Sequence, residues 1–131
     1  MEKDSLCNKF QNAVSDTQLR HKSILDILTK LEESNARVNR AIVKSVTSCG
    51  CIEINATKQC YNKPSLQEVK ESLKNHIEGE LCETCREKIQ EELGNHMYYV
   101  ASLCDALELN LDDIISKEFD ELKTLGIYSL L

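Results

Sequence analysis

The sequence predicts an all-α protein, a helical bundle of four to five helices forming a single domain over 1–131. Three observations lead there. Pro occurs once and Gly four times in 131 residues, so few positions interrupt a helix. Apolar residues recur at three- and four-residue steps over long stretches, the spacing of one helix face. Aromatic residues, which favour strands, are scarce: two Phe, four Tyr and no Trp. A chain of this length buries one core and not two.

Residues 1–14 read as a partial helix with Leu6, Phe10, Ala13 and Val14 as its apolar side. A helix start follows at Ser15 or Asp16, either of which accepts hydrogen bonds from free first-turn amides. Ile24, Ile27, Leu28, Leu31, Val38, Ile42 and Val46 then mark one amphipathic helix over about 16–47, with Lys30, Glu33, Arg37, Arg40 and Lys44 on its charged side. Cys49-Gly50-Cys51 ends it. Ile52-Glu53-Ile54 alternates and suits an extended segment, and Asn62-Lys63-Pro64 marks a loop. Ser65-Leu66-Gln67-Glu68 has the form of a capping box and opens a helix with Val69, Leu73 and Ile77 on one side. A bend is expected at Glu78-Gly79-Glu80. The next helix runs from near Cys82 to about Leu107, its apolar face formed by Ile89, Leu93, Met97, Val100, Leu103, Cys104 and Leu107. Asn110 caps the last helix, Asp112 and Asp113 suit the positive end of its dipole, and Gly126 stops it. Ile114, Ile115, Phe119 and Leu122 are expected to face the core.

The composition excludes some functions. A net charge of −6 argues against DNA or RNA, whose binders cluster Lys and Arg. No run of eighteen apolar residues spans a membrane. Met1-Glu2-Lys3-Asp4 lacks the basic start and apolar core of a secretory signal, so the expected compartment is the reducing cytoplasm. There, seven cysteines are not read as disulfides.

The cysteines carry the clearest chemistry. Cys49-Gly50-Cys51 is answered by Cys82-Glu83-Thr84-Cys85, and close pairs of this kind each supply two thiolates to a tetrahedral metal from a tight turn. Gly50 lets the backbone turn sharply enough for both sulfurs to converge. Zinc is expected ahead of an iron–sulfur cluster, with Cys60 and His76 as alternate ligands inside the bracketed segment. The competing reading is a set of buried thiols acting as small apolar groups. Cys7 and Cys104 read as plain thiols. Four thiolates leave no position for water, so such a site is structural.

The C-terminal third, from Glu91-Glu92-Leu93-Gly94-Asn95-His96-Met97-Tyr98-Tyr99-Val100 through Leu107-Glu108-Leu109-Asn110-Leu111-Asp112-Asp113-Ile114 to Lys123, resembles the MazG-type nucleoside triphosphate pyrophosphohydrolases. The likeness covers roughly 35–40 residues on pattern. It implies an all-α homo-oligomer in which carboxylates from two helices hold Mg²⁺ on a triphosphate. Hard Mg²⁺ prefers carboxylate oxygens, and paired ions stabilise the attacking and leaving oxygens of phosphoryl displacement. On that resemblance Glu91 and Glu92 match the acidic pair, with Glu92 and Asn95 at the catalytic positions. Asn95 stands where the family has Asp and offers a neutral carbonyl. Lys30-Leu31-Glu32-Glu33-Ser34-Asn35-Ala36-Arg37 resembles the family's other acidic stretch, with Ala36 in place of the third acid. Glu80-Leu81-Cys82-Glu83 is the alternative placement. The first choice makes Glu32, Glu33, Glu91 and Glu92 the Mg²⁺ set, with Lys30, Arg37, Arg40 and Lys44 as phosphate-binding candidates. It also makes 48–85 a cysteine-bracketed insertion.

Two functions follow. One is a Mg²⁺-dependent pyrophosphohydrolase of a nucleoside triphosphate with a structural zinc clasp. The other is a non-catalytic, zinc-stabilised helical module for protein interaction or oligomerisation, since fold likeness does not carry activity with it.

Overall fold

The computed structural model describes residues 5–128 and is mostly helical. Among the described residues the α-helices are α1 (Leu6–Thr17), α2 (Ile24–Lys44), α3 (Leu66–Ser72), α4 (Glu83–Ala106) and α5 (Leu111–Leu125). Two short strands, β1 (Ile52–Ile54) and β2 (Ile77–Gly79), pair antiparallel. No helix of the described residues is long and apolar enough to cross a membrane.

The N-terminal half departs from expectation. Ser5 caps α1, accepting from the Asn8 amide at 3.1 Å, so Ser15 and Asp16 lie inside a helix rather than at its start. The chain then turns over 18–23 and restarts at Ser23, whose hydroxyl accepts from the Leu25 amide. His21 takes a positive φ of 53°, and the Gln18 side-chain amide closes the turn by donating to the His21 carbonyl at 2.6 Å. Neither Gly nor Pro announces this break. It exists because α1 folds back onto α4 and α5, where Val14 is buried with Ala101, Cys104 and Leu111, flanked by Phe10, Tyr98 and Val100.

Gln11 ties this end together. It is buried, and its side chain donates to the Leu109 carbonyl while accepting from the Leu111 amide, both at 2.8 Å. A free amide and a free carbonyl at the α4–α5 turn are thereby satisfied by one residue, which is what permits their burial. Asn110 caps α5 by accepting from the Asp113 amide at 2.9 Å, and its own amide donates to Asn8 at 2.8 Å. Gly126 ends α5 as expected.

α2 and α4 are antiparallel neighbours. The Ser34 hydroxyl meets His96 Nδ1 at 2.8 Å midway, and Lys30 Nζ lies 5.8 Å from the Tyr99 ring centre nearer one end. Ser34 donates its single proton to the Leu31 carbonyl at 3.0 Å, so His96 Nδ1 is the donor to Ser34. Ser34, Ser45 and Ser102 are all fully buried, small enough for close helix approach. The apolar stripes are only partly covered. Leu93, Met97 and Leu107 of α4 are exposed, and so are Ile114, Ile115, Phe119 and Leu122, against the expectation that they face the core. Leu111 alone is the buried residue of α5.

The segment between α2 and α4 is a hairpin with a short helix. Ser65 caps α3 through the Glu68 amide at 3.2 Å, but the helix stops at Ser72 and does not reach Ile77. Ile77–Gly79, expected as the end of a helix and a bend, instead pairs with β1 in the register Ile52↔Gly79, Glu53↔Glu78, Ile54↔Ile77. Asn75 accepts from the Ile77 amide at 2.9 Å, and Asn55 donates to the His76 carbonyl at 2.9 Å, which extends the pairing. The unpaired edge of Ile52–Ile54 is a stronger claim on this backbone than one further turn of a seven-residue helix.

Candidate metal centre

The four cysteines predicted as ligands come together. Sγ atoms of Cys49, Cys51, Cys82 and Cys85 all lie within 4.8 Å of one another, and Cys49 and Cys82 are 3.8 Å apart. Zinc–sulfur bonds of about 2.3 Å in a tetrahedron require sulfur–sulfur edges of about 3.8 Å. The donor set and its spacing therefore suit a zinc ion, for which the four sulfurs need draw in by no more than about 1 Å.

Each sulfur is placed by local backbone chemistry. The end of α2 widens into a π-helical turn, Ser45–Cys49, closed by the Gly50 amide donating to the Ser45 carbonyl at 2.9 Å. The extra residue in that turn rotates Cys49 towards α4. Gly50 follows with φ 77°, and the chain reverses so that Cys51 enters β1 beside the same carbonyl, its thiol 3.7 Å from Ser45 O. Cys82 is the N-cap of α4, its sulfur accepting from the Cys85 amide at 3.4 Å. Gly79 makes the join possible. It has φ 87°, and a Cβ there would lie 2.6 Å from the Cys51 carbonyl oxygen. Only glycine lets β2 approach this closely.

The electrostatics suit a cation. The Cys82 thiol is held down at about 7, first by the Cys85 backbone amide and then by the Cys85 thiol, while it sits at the positive end of α4. The same contact pushes Cys85 up to about 12, because Cys82 ionises first and Cys85 must then remain a donor to it. Four neighbouring sulfurs cannot all become anions unaided. A divalent metal is what releases the remaining protons.

The other candidates lie elsewhere. Cys60 is exposed, and His76 stands outside the quartet, with φ 62° and a buried Nε2 that lacks a hydrogen-bond partner. Cys104 is core, its thiol pushed up by burial, and Cys7 is a half-buried free thiol. Among the described residues, the acids do not gather into a group that shares an ion. Glu32 and Glu91 are exposed. Glu33 pairs with Lys30, whose hydrogen bond holds its carboxyl below the usual carboxylate range. Glu92, with a side chain only 14% exposed, reaches Lys88 at 3.7 Å. Asn95 lines a separate groove with Arg20, His21, Tyr98 and Tyr99.

Beside the quartet runs a groove of about 430 Å³ between α2 and α4. Arg37, Arg40 and Lys44 line it from α2, Lys88 and Glu92 from α4, and Cys49 and Cys85 close one end. Three of its cations stand among the phosphate candidates from sequence; Lys30 is engaged by Glu33 instead. Sequence reasoning misses Lys88, Gln11 and β2, and it takes Gly79 only for the centre of a bend. A lone Gly between glutamates carries the sequence signature of a bend, and nothing local distinguishes it from a strand end. Set against protein-family models, curated proteins and solved structures, the chain matches none of them.

Proposed function

We propose that this chain is a zinc-clasped helical module that assembles with copies of itself, its metal structural rather than catalytic. The observation that carries the reading is the convergence of four cysteine sulfurs within 4.8 Å of one another. Four thiolates fill zinc's coordination and leave no place for a water nucleophile. What the metal does here is mechanical. It ties the end of α2 to the start of α4 across a hairpin that buries, of its strand residues, only Ile52. Self-assembly is supported by α5, where Ile114, Ile115, Phe119, Leu122 and Leu125 are all exposed, Phe119 at 58%. An apolar stripe of this length on one helix is normally covered by a partner.

Two measurements test this reading. Elemental analysis of protein purified without added zinc should give one zinc per chain. A value well below one, with Cys49→Ser and Cys82→Ser as stable as the parent, sinks the clasp. Light scattering should report an oligomer that Phe119→Glu dissociates; a monomeric parent removes the assembly half.

The second reading is a divergent MazG-like pyrophosphohydrolase. The antiparallel packing of α2 on α4 favours it, since the segments of Glu32-Glu33 and Glu91-Glu92 then lie on adjoining helices. Mg²⁺ held by those acids would polarise a nucleoside triphosphate, with Asn95 as a neutral neighbour. Pyrophosphate released from nucleoside triphosphates with Mg²⁺, and lost in Glu92→Ala, would establish it over the first. The absence of turnover with every common nucleotide would remove it.

A further inference from the structure

We infer that the groove between α2 and α4 is a binding site for a small phosphorylated ligand, seated on Arg37, Arg40, Lys44 and Lys88 beside the cysteine clasp. The inference shares Arg37, Arg40 and Lys44 with the second functional reading but rests on the groove itself, and anion binding without turnover would leave it standing while that reading fails.

Charge is the first ground. The chain carries sixteen Lys and Arg against twenty-two Asp and Glu, yet this one groove gathers four cations and a single carboxylate. That carboxylate, Glu92, pairs with Lys88. Arg37 is partly compensated by Glu33, one turn earlier on α2, whereas Arg40 and Lys44 have no acid among the groove's other lining residues. Like charges brought together repel one another, and an anion in their midst removes that repulsion.

Geometry is the second ground. Residues 37, 40 and 44 follow the three- and four-residue steps that bring side chains onto one helix face, so α2 presents its cations as a row. Guanidinium groups form forked hydrogen bonds to phosphate oxygens, and Lys supplies point charges beside them. Across the groove Thr84 and Cys85 belong to the first turn of α4, a helix of 24 residues whose positive end adds to the same field. Thr84 also offers a hydroxyl.

Size and overall charge select the ligand class. A space of about 430 Å³ with the clasp across one end suits a small molecule. An extended polyanion such as nucleic acid would meet the net charge of −6 beyond the groove. A compact phosphate or diphosphate group meets four cations against Glu92 and the net charge of about −2 on a tetrathiolate zinc at one end.

The test uses the zinc-loaded full chain with inorganic phosphate and inorganic diphosphate as probes, titrated calorimetrically at low salt. Diphosphate should bind one per chain, more tightly than phosphate, and weaken as salt is raised. The Arg40→Gln/Lys44→Gln variant, with zinc content checked before and after, should lose roughly tenfold or more in diphosphate affinity. Absence of saturable binding by the parent overturns the inference. So does binding that the double variant leaves unchanged.

The unmodified protein provides a second readout, should the variant lose its metal. Diphosphate should shield Arg37 and Arg40 from an arginine-modifying dicarbonyl reagent while Arg20 and Arg86 continue to react. Equal reactivity of all four arginines with and without diphosphate places the anion elsewhere. Failure of the clasp appears in zinc content and failure of the groove in anion binding, so the two are separable.

Discussion

Cys104 and Cys82 are the same residue in two opposite environments, and they divide the molecule. Cys104 sits against Val14, Ala101 and Leu111, where burial pushes its thiol up and leaves it a small apolar group. Cys82 caps α4 within reach of three other sulfurs, where an amide hydrogen bond holds it down at about 7 and suits it to ligate a metal. The α1–α4–α5 end is held by packing and by Gln11. The clasp end has little apolar material; backbone pairing joins its strands, and its four sulfurs lie close enough to hold a metal ion. A small domain that cannot build enough core at one end commonly adds a metal there.

Removing the metal should break this contrast most completely. Cys82→Ser should sharply lower zinc affinity, and chelation of the parent should strip the metal from it. Amide exchange should then accelerate across Ser45–Cys85 and remain slow near Val14, Ala101 and Cys104. Uniform acceleration across both ends would show that they are one cooperative unit.

Acidification acts on the same end more gradually. Zinc displaces thiol protons, so lowering the pH opposes binding. Cys85, at about 12, and Cys49, also raised, each give up a proton on binding near neutrality, whereas Cys82 gives one up only below about 7. Two protons released near neutrality make affinity fall by about a hundredfold per pH unit, with the slope steepening below pH 7 as Cys82 adds a third. Calorimetry in buffers of different ionisation enthalpy counts the protons; a slope that flattens below 7 would contradict the ordering.

Two glycines sharpen the picture of the clasp. Gly79→Ala forces a Cβ into the Cys51 carbonyl and should cost about 3 kcal/mol, with weakened zinc binding. Gly50→Ala meets nothing within 4 Å and should cost only about 1 kcal/mol, through its positive φ alone. Equal losses in thermal unfolding of the zinc form would mean that the close approach of β2 is not what matters. At the packed end, Gln11→Ala leaves the buried Leu111 amide unsatisfied and should cost about 1–3 kcal/mol with zinc content unchanged.

Much of the helical layout was legible in the residues. Caps at Ser65, Asn110 and Gly126, the start of α4 at Cys82 and the extended Ile52–Ile54 all follow from side-chain chemistry that reaches only a few residues away. The four sulfur ligands were legible for the same reason, since two tight pairs announce themselves by spacing. The break between α1 and α2 was not, because His21 takes its positive φ to let Val14 and Gln11 reach α4 and α5. Strand β2 was not, because Ile77–Gly79 is extended only opposite a partner well over twenty residues away in sequence, as in Ile52↔Gly79 and Glu53↔Glu78.

The sequence by itself determined most of the local elements and which four cysteines are the candidate metal ligands. Tertiary structure decided which groups meet. It separates Glu92 from Asn95 into different grooves, leaves Cys60 outside the quartet and brings Lys88 opposite Arg37, Arg40 and Lys44. The physical reason is range. A cap or a turn is settled by hydrogen bonds within a few residues, whereas a groove or a metal centre depends on the register of two helices, which burial of distant side chains sets.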